Sequence, residues 1–175
     1  MTNREIAAVL FNISAILRDQ HANPYRVRAY RRAARALLRI RQPMSERVAR
    51  GLPLGIPRLG KSLTAKITAL ARDGRLPFYD EVIDSLPPDE GRLVRVPGIG
   101  PTIAARIHRD IGPTDPESLS RAAADGRLAR VWGVGPRRQA AILDALAPAA
   151  RGPGGRESGR PGERKPQPQQ LALFS

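Results

Sequence analysis

The fold is decided by a stretch that the sequence carries twice, "GRLVRVPGIGPTIAARI" at residues 91–107 and "GRLARVWGVGPRRQAAI" at residues 126–142. The second copy begins 35 residues after the first, and ten of the 17 aligned positions are identical. A looser third copy, "GLPLGIPRLGKSLTAKI", begins at Gly51. Self-similarity of this kind indicates that one supersecondary unit is used three times.

Each copy predicts a short helix, a tight hairpin and a second helix. Glycine permits positive φ and leaves the backbone uncovered, and the second helix begins just after the last glycine. The free N–H groups and the positive dipole end of that helix then point outward, which makes a phosphate site from backbone alone. Such a site contacts no base edges and therefore predicts DNA binding without sequence preference. The alternative is a plain helical hairpin whose glycines serve only the turn.

The rest of the body also predicts helices, and no alternating strand pattern of useful length occurs, so we expect an all-α bundle of tandem helix-hairpin-helix units. A first helix, capped by Thr2 or Asn3, carries one apolar face: Ile6, Val9, Leu10, Ile13, Ile16 and Leu17. A second helix has Asn23 as its cap and Pro24 at its first position. Its inward positions are predicted to be Val27, Tyr30, Ala34, Leu37 and Leu38.

The charge of the chain points to a polyanion. Lys and Arg number 30 against 16 Asp and Glu, a net charge of +14, and nucleic acid is the usual partner of so cationic a protein. Residues 20–45 contain seven arginines and no acid. Five of these arginines fall at helical spacing and predict one cationic stripe: Arg28, Arg31, Arg32, Arg35 and Arg39. The alternative is a solvated basic surface without a partner.

Several classes of protein are not expected. The absence of cysteine excludes disulfides and thiolate metal sites, and the two histidines lie far apart in sequence, which argues against zinc. No apolar run has the length of a membrane span, and the first residues do not have the pattern of a signal peptide. We therefore expect a cytoplasmic, nucleoid-associated protein with no membrane partner.

"VPGIGP" at residues 96–101 and "VWGVGP" at residues 131–136 resemble the helix-hairpin-helix motif. The order of parts, "NPYRVRAYRRAARAL" at residues 23–37 followed by "IPRLGKSLTAKI" at residues 56–67, resembles the N-terminal region of bacterial family X DNA polymerases. The resemblance covers about residues 3–147 and implies a lyase-like helical domain with the first hairpin at 1–86 and the second and third hairpins at 87–147. A tail at 148–175 follows. The polymerase palm and a metal-dependent nuclease domain would lie beyond residue 147, so we expect that this chain is not itself a polymerase.

The hairpins and the stripe supply the residues expected to contact DNA. In addition to the five stripe arginines they are Arg58, Gly60, Lys61, Gly98, Gly100, Thr102, Gly133, Gly135, Arg137 and Arg138. Arg58 stands where the other copies have Gly98 and Gly133, so it would be strained if that position needs positive φ, or the first turn would differ. The resemblance also implies a monovalent cation held by hairpin carbonyls. No other cofactor and no metal bound by side chains is expected.

The resemblance also implies a hypothesis about chemistry. In lyase-type members a lysine after the first hairpin forms a Schiff base with the aldehyde of an abasic sugar. That lysine aligns with Lys66, and Tyr30 and Arg26 match positions that line its pocket. A second argument does not depend on the resemblance. The chain has 27 arginines and three lysines, and at neutral pH an amine can form an imine whereas a guanidinium cannot. A lysine in so arginine-rich a chain therefore suggests that an amine is required at that position. The alternative is that Lys61 and Lys66 only contact phosphates, and Ala65 stands where some lyases have an acid.

Residues 148–175 hold five prolines and five glycines, and we expect this tail to be disordered because it buries too little apolar surface. Within it, "QLALF" at residues 170–174 resembles the pentapeptide by which bacterial repair and replication proteins bind the sliding clamp. Gln170, Leu171, Leu173 and Phe174 match that motif, and Ala172 departs from its polar third residue. The alternative is a stray apolar end, or one that folds back on the body.

Three interpretations follow. The chain is a DNA-binding module of repair or replication, or an abasic-site (deoxyribose-phosphate) lyase using the same surface, or an RNA-binding or ribosome-associated protein. Few aromatic residues argue against stacking on single-stranded bases. Trp132, the only tryptophan, is expected to pack beside its hairpin.

Overall fold

A computed structural model describes residues 1–146 of the 175. This part of the chain contains helices and no strand, which confirms the all-α prediction. None of its helices is long and apolar enough to cross a membrane. In chain order they are α1 (Asn3–Asp19), α2 (Pro24–Leu37), α3 (Met44–Ala49), α4 (Lys61–Asp73), α5 (Pro77–Asp84), α6 (Pro88–Val94), α7 (Pro101–Ile111), α8 (Pro116–Ala124), α9 (Arg127–Arg130) and α10 (Pro136–Leu146).

Of the two predicted caps of α1, Thr2 is the one used. Its side-chain oxygen accepts from the Glu5 N–H at 3.3 Å, and the Glu5 carboxylate accepts from the Thr2 N–H at 2.7 Å, which forms a capping box. Asn3 instead accepts from the Met44 N–H at 2.7 Å and donates to the Ile40 carbonyl at 2.9 Å. The start of α1 therefore fastens the chain between α2 and α3.

The second helix begins as predicted, with the Asn23 side chain accepting from the Tyr25 N–H at 2.9 Å and Pro24 at the first position. Four of its five predicted inward residues are buried: Val27, Tyr30, Ala34 and Leu37. The prediction for Leu38 is wrong, because this side chain is 52% exposed. The helix ends at Leu37, so Leu38 lies at the cap, where helical periodicity no longer sets the buried face.

Two apolar cores lie on either side of α5. The first is built by α1 to α4, with Leu10, Leu37 and Ile67 fully buried, and the second by α6 to α10, with Leu93 and Ile107 fully buried. Tyr79 on α5 packs against both cores, and its hydroxyl accepts from Asn12 Nδ2 on α1 at 2.7 Å. The second core thus sits against the first through α5 and α1, and this contact positions the hairpins relative to α2.

The first copy of the repeat has a longer connection between its two helices, α3 and α4, than the other two copies have. The "GRLV" segment lies in α6 and its counterpart overlaps α9, but "GLPL" at residues 51–54 is not helical. Pro53 cannot continue a helix, and Gly51 and Gly55 adopt positive φ of 64° and 72°. The first helix of this unit, α3, therefore ends at Ala49, and an extended connection leads to α4.

Candidate nucleic-acid interface

The second and third hairpins have the same backbone geometry. Gly98 and Gly133 occupy equivalent positions with φ of 82° and 95°, a region that disfavours side chains with a Cβ. The Ile99 N–H donates to the Val96 carbonyl at 3.0 Å, and the corresponding bond in the third hairpin measures 2.9 Å. A Cβ built at Gly98 would meet no atom within 4 Å. The backbone at the second turn is therefore bare and approachable.

The helices that follow the first and second hairpins, α4 and α7, begin without side-chain caps. Gly60 precedes α4 and Gly100 precedes α7 in extended conformation, and neither helix start has a side-chain hydrogen bond. Proline opens α7 and α10, and Thr102 and Arg137 follow as exposed second residues. An uncapped first turn leaves backbone N–H groups and the positive end of the dipole for a ligand, and anions suit both.

Arg58 keeps the left-handed turn of the first hairpin despite being an arginine. Its φ is 55°, so Arg58 has the positive φ that Gly98 and Gly133 have at the same position. Of the two expected outcomes, a strained Arg58 or a different turn, the first is therefore observed at this residue. Such a conformation costs on the order of 1–3 kcal/mol in a residue with a side chain. Arg32 Nη2 on α2 donates to the Arg58 carbonyl at 3.3 Å, which ties this turn to the arginine stripe.

Arg138 links the second and third hairpins to each other. Its Nε donates to the Gly98 carbonyl at 2.9 Å, and its Nη1 donates to the Gly133 carbonyl at 2.6 Å. These are the two equivalent left-handed glycines, so one guanidinium sets the spacing between the two turns. Because a carbonyl oxygen has two lone pairs, a monovalent cation at either of these oxygens would lie next to the Arg138 guanidinium.

The packing expected for Trp132 is wrong, since 77% of this residue is exposed. Its backbone is nevertheless well fixed, because Val131 and Val134 on either side of it are buried. The guanidinium of Arg106 on α7 stacks over the indole at 4.3 Å from the ring centroid. The third hairpin thus presents an aromatic ring at its surface.

The predicted arginine stripe forms one surface. All five arginines are exposed, and together with Ala36 and Pro57 they line a shallow groove of about 620 Å³. Arg31 also lines an adjacent groove of about 390 Å³, whose lining includes Gly98, Gly100, Thr102 and Arg138. The fold therefore joins the stripe of α2 to the second hairpin in one cationic face, although the two lie far apart in sequence.

The three candidates for chemistry meet around one aromatic ring, which sequence reasoning missed. Lys66 Nζ lies 4.7 Å from the centroid of Phe78, and the Arg26 guanidinium lies 5.1 Å from it. Tyr30 stacks on the same ring with centroids 6.3 Å apart and planes 13° apart. Lys66 Nζ also donates to Ser62 Oγ at 3.0 Å. Phe78 follows Pro77 at the start of α5, and no motif in the sequence marks it.

Tyr30 is the buried member of this cluster, with 4% of the residue exposed. Burial raises the pKa of its phenol, and the hydrogen-bonding and charge of Arg26 act in the opposite direction. The net direction is upward, so the phenol is protonated at neutral pH and can donate a hydrogen bond. Lys66 is half-buried, and Arg26 and the nearby Lys61 are exposed. Solvent therefore reaches Lys66 and Arg26, while Tyr30 lies in the interior.

The residues predicted to bind a clamp, Gln170, Leu171, Leu173 and Phe174, lie outside the described residues. The prediction about the tail at 148–175 therefore stays a prediction.

Comparison with known proteins agrees with the two hairpin regions. The model of a helix-hairpin-helix domain matches residues 1–76, and the model of a SAM-like helix-hairpin-helix tandem matches residues 90–147. The chain is similar to the DNA polymerase/3'-5' exonuclease PolX of Bacillus subtilis (strain 168), with 26% identity over 153 residues. The match covers 87% of this chain and 26% of the relative, so the chain spans about a quarter of the relative's length.

Proposed function

We propose that this chain binds double-stranded DNA without sequence preference, as a module of DNA repair or replication. The observation that carries the proposal is the pair of matching hairpins, in which Gly98 and Gly133 turn the backbone at positive φ just before a helix start. At the second hairpin the bare backbone and the uncapped first turn of α7 can bind phosphate oxygens but read no base. The matches to helix-hairpin-helix models and the similarity to a DNA polymerase support DNA as the ligand.

The arginine stripe supports the hairpins in this proposal. Arg31 lies in both the stripe groove and the hairpin groove, so a phosphate backbone that follows one groove reaches the other. Arg58 adds a cation at the left-handed turn of the first hairpin. These contacts neutralise phosphates and supply affinity that is independent of sequence.

Competition between nucleic acids tests the choice of DNA over RNA. We expect unlabelled gapped duplex DNA to displace a labelled duplex at lower concentration than a structured RNA of equal length, because the similarity to a DNA polymerase supports DNA as the ligand. Two unrelated DNA sequences should compete equally. Preferential displacement by the RNA would favour the interpretation as an RNA-binding or ribosome-associated protein.

A bacterial sliding clamp is proposed as the protein partner. Three apolar side chains of "QLALF", Leu171, Leu173 and Phe174, suit apolar pockets, and Gln170 suits a polar rim. The 22 residues at 148–169 would span roughly 25 Å as a flexible coil, which lets the body lie on DNA while the peptide is held. Tethering to a ring already threaded on DNA raises the local DNA concentration toward the millimolar range.

We expect a chain ending at Gln169 to lose clamp binding while it keeps its affinity for DNA. The measurement is a peptide titration and a pull-down with a purified bacterial sliding clamp. A chain in which Leu173 and Phe174 are replaced by alanine serves as the matched full-length control and should behave like the truncation. Equal clamp binding by the full chain and the truncated chain would show that the tail is not the anchor.

The cluster around Phe78 favours a second candidate function, an abasic-site lyase. Lys66 is half-buried beside an aromatic ring, with the hydroxyl of Ser62 at 3.0 Å and the cation of Arg26 near the same ring. An amine in such surroundings can act as a nucleophile, and the buried phenol of Tyr30 can hold the Arg26 guanidinium beside it. The arginines around it would hold the strand on which the abasic sugar lies.

The reaction would proceed through an imine. Lys66 Nζ attacks the aldehyde carbon C1′ of the ring-opened sugar, and water leaves as the C=N bond forms. Removal of the C2′ proton then moves the electron pair toward the imine and expels the 3′ phosphate, which cuts the strand. Hydrolysis of the imine restores the amine. Ala65 precedes the lysine, so the acceptor of the C2′ proton does not come from that position.

A further inference from the structure

The third hairpin carries an aromatic residue where the other two carry proline. Pro57, Pro97 and Trp132 occupy the same position in the repeat, and all three are exposed. In the third hairpin Val131, before the tryptophan, and Val134, two residues after it, are buried, at 3% and 5% exposure. The indole between these buried positions is exposed and lies at the outer surface of a proposed phosphate-binding turn.

The indole is also held in place. The Arg106 guanidinium stacks over one face of the ring at 4.3 Å, and its Nη1 donates to the Trp132 carbonyl at 3.4 Å. With 77% of the residue exposed, the opposite face is open. An indole is usually buried at least in part, because its large apolar area favours removal from water. Here the contacts orient the ring without covering it.

The surroundings of the ring fit a partner that has both negative charge and a flat aromatic surface. Two exposed arginines lie near it in the sequence, Arg130 before it and Arg137 after it, and Arg106 stacks on it. Nucleic acid combines phosphates with bases, and bases stack on aromatic side chains without regard to sequence. In an intact duplex the bases are already stacked and paired, whereas at a gap or strand end unstacking costs less.

We infer that Trp132 is a stacking platform for an unpaired base, so that the chain prefers duplex DNA with a gap or a strand end over intact duplex. The inference rests on the proposed function, because the hairpins must first bring the backbone to the third turn. It assigns the choice of DNA structure to one residue of the third hairpin.

The fluorescence of Trp132, the only tryptophan in the chain, reports the contact directly. In the free full-length protein we expect efficient quenching by acrylamide. Gapped duplex should then quench the indole and protect it from acrylamide, whereas an intact duplex of the same sequence should do so much less. Emission that is already protected in the free protein would mean that another segment or a second copy covers the ring, and would overturn the inference.

Substitution separates stacking from simple apolar contact. Trp132→Leu should weaken binding to gapped duplex by about tenfold, because a leucine offers no π face. Trp132→Phe should keep most of the affinity, and both variants should bind intact duplex as the parent does. Equal weakening on both duplexes, or none on either, would overturn the inference and leave the proposed function standing. If the parent protein binds neither duplex, the proposed function fails and the inference fails with it.

Discussion

Replacing Gly135 with valine is expected to lower the affinity for duplex DNA by about tenfold or more, since a charge-assisted hydrogen bond to phosphate contributes about 1.5–3 kcal/mol. Gly135 is not among the residues with positive φ, and a Cβ there would meet no atom within 4 Å. The folded chain can therefore accept the side chain, which would stand between the start of α10 and a phosphate. The unfolding temperature should change little, and binding is measured by fluorescence anisotropy on a labelled duplex.

Substitution of the other hairpin glycines should also affect folding, because their backbone conformation or close packing disfavours a side chain. Gly98→Val and Gly133→Val should lose both stability and DNA binding, since a β-branched residue resists φ of 82° or 95°. At Gly100 a Cβ would lie 3.1 Å from Asn12 Oδ1, so Gly100→Val should also disturb the contact between α7 and α1. Each of these substitutions should weaken DNA binding more than the substitution of any single surface arginine outside the hairpins.

Gly74 provides the matched control for backbone strain. It has a φ of 69° and caps the C-terminal end of α4, whereas the first hairpin precedes the N-terminal end of this helix. Gly74→Val should therefore lower the unfolding temperature about as much as Gly98→Val and leave DNA binding unchanged. If Gly135→Val binds like the parent, or if losses of binding simply follow losses of stability, the glycines serve only the turns.

Lys66→Ala is expected to eliminate the covalent adduct that borohydride traps on abasic DNA. Reduction converts the imine between Lys66 Nζ and the sugar into a stable amine, so the adduct is counted on a denaturing gel. Lys66→Arg should also form no adduct, although it keeps the positive charge, because a guanidinium does not form an imine at neutral pH.

Lys61→Ala is the control for charge, since Lys61 lies at the exposed start of the same helix. This variant should lower trapping only as far as it lowers DNA binding. Phe78→Leu should reduce the rate of trapping more than the affinity for DNA, because the ring positions Lys66, Arg26 and Tyr30. An undiminished adduct in Lys66→Ala, or none in the parent chain, would reject the lyase hypothesis.

The helical fold could be predicted because local signals and burial agree. The start of α2 was predicted from the cap residue Asn23 and the proline after it, and α1 was predicted from the spacing of its apolar residues. The repeat predicted the second and third hairpins. Leu38 was mispredicted because periodicity does not show where a helix ends. The extended connection before α4 was not predicted, because "GLPL" was aligned with the helical segments "GRLV" and "GRLA" although Pro53 stops a helix there.

The site was only partly predictable, since its contacts join residues distant in sequence. The sequence suggested Lys66, Tyr30 and Arg26, but Phe78 reaches them only through the packing of α5 on the first core. Arg138 was predicted to contact DNA, and its bonds to the two glycine carbonyls follow from the pairing of hairpins in space. The exposure of Trp132 likewise depends on which way the third turn faces.

The most direct test of backbone recognition is the dependence of DNA affinity on salt. The residues at 1–147 carry a net charge of +11, and the hairpins with the stripe could neutralise roughly four to eight phosphates. The logarithm of the association constant should fall linearly with the logarithm of salt concentration, with a slope of about −4 to −7 that is the same for unrelated DNA sequences. A flat response, or a slope that changes with sequence, would contradict binding through the phosphate backbone.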